Sequence, residues 1–540
     1  MGCESLMSKI EIYDTTLRDG TQGEGITLTV EDKLKLARRL DAFGVDYIEG
    51  GWPGSNPKDA AFFEAAKAVK LKHAKVAAFG STRRAKTTAA EDANIRKLME
   101  SGTDVVTIFG KSWDFHVKEV LRIELERNLE MIYDSVNYLV TKGRQVIFDA
   151  EHFFDGFKDN PEYALKSLEA ARDAGASCLC LCDTNGGSLP SHVVKCMEIV
   201  RSRVDTPIGI HSHNDSGLAV ANCIVAVECG ATHVQGTING YGERSGNANL
   251  CTIIPILELK LGLQALPPGK LKEITEIAHF GDDVANVVPD DRQPFVGRSA
   301  FAHKAGVHVD AMMKNPKTYE HIDPTLVGNT RRILVSELSG SSTIIQMAKK
   351  YGVDWDKASP EVKAVLDNVT KLEHEGYSFE GAEASFELLL KKPLGQYRKL
   401  FDLNGFRVII EKRGLKEQPV TEATLKVTVD GKEAFVVAEG DGPVHALDSA
   451  LRKALNQFYA DEIKRIRLVD FKVRVVNVKA GTAAKVRVGI ESTDSSESWN
   501  TVGVSTNIIE ASVNALADSV EYGLLKHLDA KKERSPRKAK

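Results

Sequence analysis

No apolar run in this 540-residue chain approaches the length needed to cross a bilayer. The first ten residues, MGCESLMSKI, carry no hydrophobic segment of the kind a secretion signal needs. Leu6 stands where a myristoylation signal has Ser or Thr. These absences place the chain in the cytoplasm by expectation, with no membrane partner. Neither charge sign dominates: 71 Lys and Arg stand against 75 Asp and Glu, net −4, which gives no electrostatic case for a nucleic-acid partner. Cysteine is sparse, and the eight present do not form a disulfide framework. "CLCLC" at Cys178, Cys180 and Cys182 admits a metal reading. At strand spacing the three thiols also line one face as small apolar groups, the reading preferred here. No GxGxxG stands at the first strand–helix turn, which counts against an open dinucleotide-binding sheet.

What is present is regular. The length is too great for one core and predicts two or three domains. Residues 9–262 repeat a unit of strand, polar loop and helix. Its strands are expected at 10–14, 45–51, 74–80, 104–110, 144–151, 177–184, 207–215 and 232–240. Segments such as "TVEDKLKLARRLDAFG" and "NPEYALKSLEAARDAG" have helical periodicity and end on Gly. Eight such units in about 250 residues match a (β/α)8 TIM barrel. Residues 276–400 read as a mostly helical linker region punctuated by proline. Beyond 400, two groups of alternating strands each lead into a helix. A shift of 65 positions superposes Ala446, Ala450 and Leu451 on Ala511, Ala515 and Leu516. The fold class is therefore α/β, with the barrel at 9–275, the linker at 276–400 and a duplicated α+β domain at 401–528. Residues 529–540 are expected as a disordered basic tail.

Chemistry in such a barrel belongs at the C-terminal strand ends. Those ends carry Asp14 to Asp19, Glu49, Asp149 and Glu151, Asp183 and Thr184, His211 and His213, and the loop "NGYGERSGN". A strand repeats its face every two residues, so His211 and His213 point the same way and can reach one cation. Asp19 supplies a carboxylate, and Asn247 could add a neutral oxygen. Two or three N/O donors suit a catalytic ion with open positions. Arg18 would then stand beside an oxygen that becomes negative.

The motifs "DTTLRDGTQ", "HSHND" and "GYGERSGN" resemble the signatures of the metal-dependent acyl-CoA–keto-acid family built on the isopropylmalate synthase and hydroxymethylglutaryl-CoA lyase barrel. "GVHVDA", "GYSFEGAEASFELL" and the C-terminal duplication resemble its synthase branch, and "IEGGWPGSNPKDAAFF" looks like the longer bacterial citramalate synthase type. The resemblance implies a divalent cation (Mn, Mg, Zn or Co) on Asp19, His211 and His213 with Asn247 nearby, and Arg18 as the oxyanion-stabilising arginine. It implies pocket roles for Gln22 and Glu49, an acid/base role for Glu151, and a keto-acid carboxylate on Thr184. His308 and Tyr319 match groups that the linker delivers to a partner subunit's site. Glu49 also reads as a partner for Arg18 alone, Thr184 as a helix cap and Tyr319 as a packed aromatic. His308 is chosen over His303 on the "GVHVDA" match.

The implied reaction joins acetyl-CoA to a 2-keto acid. Phe79 and Phe109, at the ends of the third and fourth strands, favour pyruvate over 2-ketoisovalerate by filling space. No extra Arg or His is assigned to a second carboxylate, which counts against 2-ketoglutarate and homocitrate synthase. A lyase would not need the linker and duplicated domain, and a biotin-dependent carboxyltransferase would need a lysine not identified. A non-enzymatic amino-acid sensor with a vestigial barrel is the alternative from another class. By the same resemblance the duplicated domain is regulatory, the chain a homodimer and the effector isoleucine. Thr506 and Asn507 read either as an effector-carboxylate site or as a helix cap.

Overall fold

The computed structural model describes residues 9–304, 306–334, 344–345, 348–349, 355–356, 359–379, 381–392, 397–412, 414, 418–476, 483–494 and 496–534. Two compact units are formed. The first runs through Phe301 and includes His321–Arg331; the second comprises Ala302–Glu320 and Arg332 onward.

The first unit is a closed, all-parallel barrel of eight strands in sequential order. They are β1 (Glu11–Asp14), β2 (Tyr47–Gly51), β3 (Lys75–Ser81), β4 (Val105–Lys111), β5 (Gln145–Glu151), β6 (Cys178–Asp183), β7 (Ile208–Ser212) and β8 (His233–Gly236). All eight lie where the sequence period puts them. The helices between them begin and end on local chemistry. Thr29 and Asp32 form a reciprocal capping box at the head of Val30–Phe43, and Gly44 closes it in the left-handed region at φ 103°. Asn160 caps Pro161–Asp173 by accepting from the Tyr163 amide.

The barrel interior is packed by Tyr13, Tyr47, Ala77, Val105, Ile147, Cys178, Cys180 and Cys182. The "CLCLC" run thus fills the barrel as small side chains, and burial pushes all three thiols up in pKa. A larger apolar layer lies between strands and helices.

In the second unit, short strands β9 (Ala302–His303) and β10 (Arg332–Ile333) pair in parallel. Two antiparallel three-stranded sheets follow: β11 (Asp402–Glu411), β12 (Val420–Val429) and β13 (Lys432–Gly440), then β14 (Arg467–Val475), β15 (Val486–Thr493) and β16 (Ser498–Ser505). Helices Pro443–Leu455 and Ile508–Arg534 follow them. The duplication extends to irregularities. The first sheet slips register between Leu403 and Gly405, the second between Leu468 and Asp470, positions 65 apart. Ala446, Ala450, Leu451 and their counterparts Ala511, Ala515, Leu516 share one core.

Two boundaries differ from the sequence reading. The linker does not stand apart as 276–400, because 276–301 and 321–331 pack with the barrel unit. The basic tail does not begin at 529. The last helix runs to Arg534, with Lys531 Nζ donating to Glu462 Oε1, and residues 535–540 lie outside the described residues. Among the described residues no helix is long and apolar enough to cross a membrane.

Candidate active site

Asp14 ends β1 buried, and its carboxylate accepts from the Thr16 amide and hydroxyl at 2.9 and 3.0 Å. That turn folds the chain back, and Asp19 N–H donates to Thr15 O at 2.8 Å. Arg18 and Asp19 are thereby aimed over the barrel mouth.

Asp19, His211 and His213 converge. One ligand atom from each lies within 4.8 Å of the others, and all three residues are buried. His211 Nε2 stands 3.2 Å from Asp19 Oδ2. Among the described residues, Asp19 Oδ2, a His213 ring nitrogen (Nδ1) and Asn247 Oδ1 are buried without a hydrogen-bond partner. Orphaned buried acceptors are costly unless something binds them. Here they are a carboxylate oxygen, an amide oxygen and an imidazole nitrogen, the donor set of a divalent cation. The residues fit the metal.

His213 lies one residue past the end of β7 and is placed by an isolated bridge to Asn247. Asn247 comes this close because Gly242 has φ 154° and no Cβ; one there would sit 2.1 Å from Asn247 Nδ2. The Asn247 Nδ2 donates to Tyr241 O at 3.1 Å, which leaves Oδ1 as the free atom.

Electrostatics prepare these groups. Burial raises the Asp19 carboxyl, but the neighbouring Arg18 and His211 outweigh it and hold it well below the usual carboxylate range. Burial, with His211 beside it, lowers His213 to about 4, so its lone pair is available at neutral pH. Burial also lowers His211, yet the Asp19 carboxylate turns the net shift upward.

A residue that the sequence did not flag orients His211. Gln235, its register partner on β8, places Oε1 2.9 Å from His211 Nδ1, and its Nε2 donates to Asp149 Oδ1 at 3.0 Å. With that oxygen as acceptor, Nδ1 carries the proton and Nε2 is left for a ligand. Asp149 is fully buried, and burial raises it to about 7.

Arg18 is fixed from two sides. Its Nε donates to Glu49 Oε1 at 2.6 Å, and its guanidinium lies 3.8 Å from the Phe79 ring centroid. Glu49 is in turn held by the Tyr13 hydroxyl at 2.9 Å. Glu49 thus pairs with Arg18 and Tyr13 in the structure. Glu151 pairs with Lys111 Nζ, another group missed in the sequence. Thr184 Oγ1 accepts from the His152 amide at 2.9 Å, and the next β6-proximal helix is headed by Leu189, so Thr184 is not that helix's cap.

Arg18, Asp19, Glu151, Thr184, His211 and His213 line a cavity of about 240 Å³, together with Gln22, Asp149 and Arg244; Glu49 and Asn247 do not line it. One wall is aromatic: Phe79 and Phe109 stack at 5.5 Å, and Trp52 meets both edge-on at 5.9 and 5.6 Å. Trp52 was not read from sequence as part of the wall. His308 and Tyr319 do not line this cavity. Both belong to the second unit, are exposed and stack on each other at 4.2 Å. His303 is engaged with Glu320 at 3.1 Å. Asn507 accepts from the Ile509 amide at 2.8 Å, so at that helix end the capping reading holds.

Comparison with known proteins gives three family matches along the chain: HMGL-like over residues 9–280, the homocitrate synthase post-HMGL domain-like family over 295–376, and the LeuA allosteric (dimerisation) domain over 380–524. The (R)-citramalate synthase of Geobacter sulfurreducens is 55% identical over 520 residues, 96% of this chain and 98% of its own length. A probable 2-isopropylmalate synthase of Methanopyrus kandleri is 30% identical over 95% of this chain and 98% of its own. Among solved structures, an HMG-CoA lyase of Bacillus subtilis covers 52% of this chain and 96% of its own at 22% identity, with a TM-score of 0.46.

Proposed function

This chain belongs to the HMGL-like family, and from that premise we propose that it condenses acetyl-CoA with pyruvate and water to give (R)-citramalate and CoA. It is an acyltransferase of the citramalate synthase type. The observation that carries the reading is the Asp19–His211–His213 cluster facing Arg18 in a small pocket walled by Phe79, Phe109 and Trp52. The 55% identity to a citramalate synthase, against 30% to a probable 2-isopropylmalate synthase, supports the smaller acceptor.

A divalent cation held by Asp19, His211 and His213, with Asn247 as a further oxygen, would supply Lewis-acid polarisation of the keto-acid carbonyl. Manganese, magnesium, zinc and cobalt all accept such donors. The chain's own groups do the rest. Arg18, held by Glu49 and Phe79, presents N–H donors to the carbonyl oxygen as it gains negative charge, without having to reorganise. Thr184 accepts the His152 amide, which leaves its O–H to donate to the keto-acid carboxylate. Glu151, paired with Lys111, is placed to take the methyl proton of the thioester. The aromatic wall excludes water and fills the space that a branched acceptor would need.

His308 and Tyr319, exposed and stacked, are assigned to the neighbouring subunit's pocket in a homodimer. The LeuA-type domain presents Ile410 at 57% and Phe435 at 72% exposure, apolar side chains suited to pairing. Isoleucine is the assigned effector of that domain, in a cytoplasmic enzyme of isoleucine biosynthesis.

Thiol release with acetyl-CoA and pyruvate, 2-ketoisovalerate or 2-ketoglutarate tests the reading. Pyruvate should have the highest kcat/KM, with 2-ketoisovalerate lower by about tenfold or more. Preference for either larger acid would contradict it. Isoleucine should inhibit the full-length enzyme where leucine does not.

A further inference from the structure

Phe79 and Phe109 lie within β3 and β4, but Trp52, the third ring of the aromatic wall, stands one residue beyond the end of β2. The pleat of a strand does not hold it, so other bonds must. Its backbone is set first. Register along β2 slips between Glu49 and Gly51, a bulge that re-aims the residue after it. Asp59 Oδ2 then accepts from the Trp52 amide at 2.9 Å, while Asp59 Oδ1 takes the buried Lys33 Nζ at 2.6 Å.

The ring is held separately. Trp52 Nε1 donates to Asn94 Oδ1 at 2.6 Å, and Asn94 Nδ2 donates to Ser81 O, at the end of β3, at 2.7 Å. The partners agree with that orientation of the amide, since an indole N–H needs an acceptor and a carbonyl needs a donor. A slot is left for it: a Cβ on Gly54 or Gly80 would stand 3.2 or 3.0 Å from Asn94 Oδ1. The Asn94 side chain is not what starts its own helix, Ala93–Glu100, because Asp92 accepts from the Asn94 and Ile95 amides there. Nor does Asn94 line the cavity. What its side chain does is tie the indole to the strand that carries Phe79. Edge-on contacts with Phe79 and Phe109 leave a ring free to tilt over a broad torsional range, and a hydrogen bond at its rim removes that freedom.

We infer that Asn94 is a positioning residue that sets the size of the keto acid the pocket accepts. By pinning the indole to β3 it holds Trp52 against Phe79 and Phe109, and keeps the wall advanced into the space that a branched side chain would need. The inference rests on the keto-acid reading above and adds the group that makes its wall rigid. A wall that can tilt discriminates less, because the larger acid then meets a ring that gives way.

The test is Asn94→Ala in the full-length enzyme, a change that adds no bulk and leaves the Asp92 cap in place. The ratio of kcat/KM for 2-ketoisovalerate to that for pyruvate should rise about tenfold, the scale of discrimination that one or two methyl groups carry. A merely structural loss would lower both acids in the same proportion, and an unchanged ratio would overturn the inference. Trp52→Phe has no indole N–H to hold, so adding Asn94→Ala in that background should leave its ratio where it was. A further rise there would show that Asn94 does not act through Trp52. Should the parent condense no thioester with any keto acid, the functional reading fails instead, and hydrogen exchange of the indole N–H then decides whether Asn94 holds the ring. The chain has four tryptophans, and the signal missing from Trp52→Phe identifies the one in question. Exchange that Asn94→Ala speeds several-fold supports the positioning role, and equal rates overturn it.

Discussion

The barrel mouth and the C-terminal repeats are unfinished in opposite ways. At the mouth, Asp19 Oδ2, a His213 ring nitrogen and Asn247 Oδ1 are buried polar atoms with no hydrogen-bond partner among the described residues. On the repeats, Ile410, Phe435, Val473 and Val475 are apolar side chains left in solvent, while inner faces close on a shared alanine- and leucine-rich core. Unmet polar need calls for an ion and a small polar substrate, and unmet apolar need calls for another protein surface. The two regions thus differ in the kind of group each leaves unsatisfied.

The sharpest way to break that contrast is Asp19→Ala. Removing the carboxylate should cut turnover by roughly three orders of magnitude or more and abolish divalent-cation binding, because it deletes a ligand and Arg18's neighbour together. Thiol release and metal analysis check this, and activity retained without metal would contradict it. Gln235→Leu comes next. It touches no ligand atom but frees His211 Nδ1, and should weaken the cation by about 10–100-fold, read by metal titration. Phe109→Leu should raise kcat/KM for 2-ketoisovalerate relative to pyruvate by about tenfold, since one or two methyl groups are worth about 1–3 kcal/mol.

The smallest effect belongs to the second unit. Burial raises the Asp518 carboxyl to about 6, although Ser385 donates to it at 2.9 Å. Its folded pKa lies above the unfolded value near 3.9. Its contribution is therefore complete below about pH 4 and is lost as pH rises through about 6. Asp518→Asn should flatten that loss and stabilise the chain at pH 8 by about 2 kcal/mol, with little change at pH 4, measured as Tm against pH.

What the sequence revealed of the site follows from distance along the chain. Asp19, His211 and His213 were legible because strand ends and a two-residue period locate them without knowledge of the fold. Glu49 was legible in position and ambiguous in role; the structure shows it bonded to Tyr13 and Arg18. Gln235 and Lys111 were not legible. Each acts only through a residue on a neighbouring strand, across β7–β8 and β4–β5, and no local pattern marks such a pair. Trp52 escaped for the same reason, since its role arises where β2, β3 and β4 close together. The register slips at 403 and 468 repeat a feature visible only as a 65-residue shift. The return of 321–331 to the barrel unit was hidden because packing, and no break in composition, sets that boundary.

Anomalous diffraction from crystals of the full-length enzyme grown with manganese tests the central claim most directly. The account predicts one strong peak within bonding distance of the Asp19 carboxylate and of both the His211 and His213 rings. A peak elsewhere, or none at that position with the three side chains ordered, would contradict it.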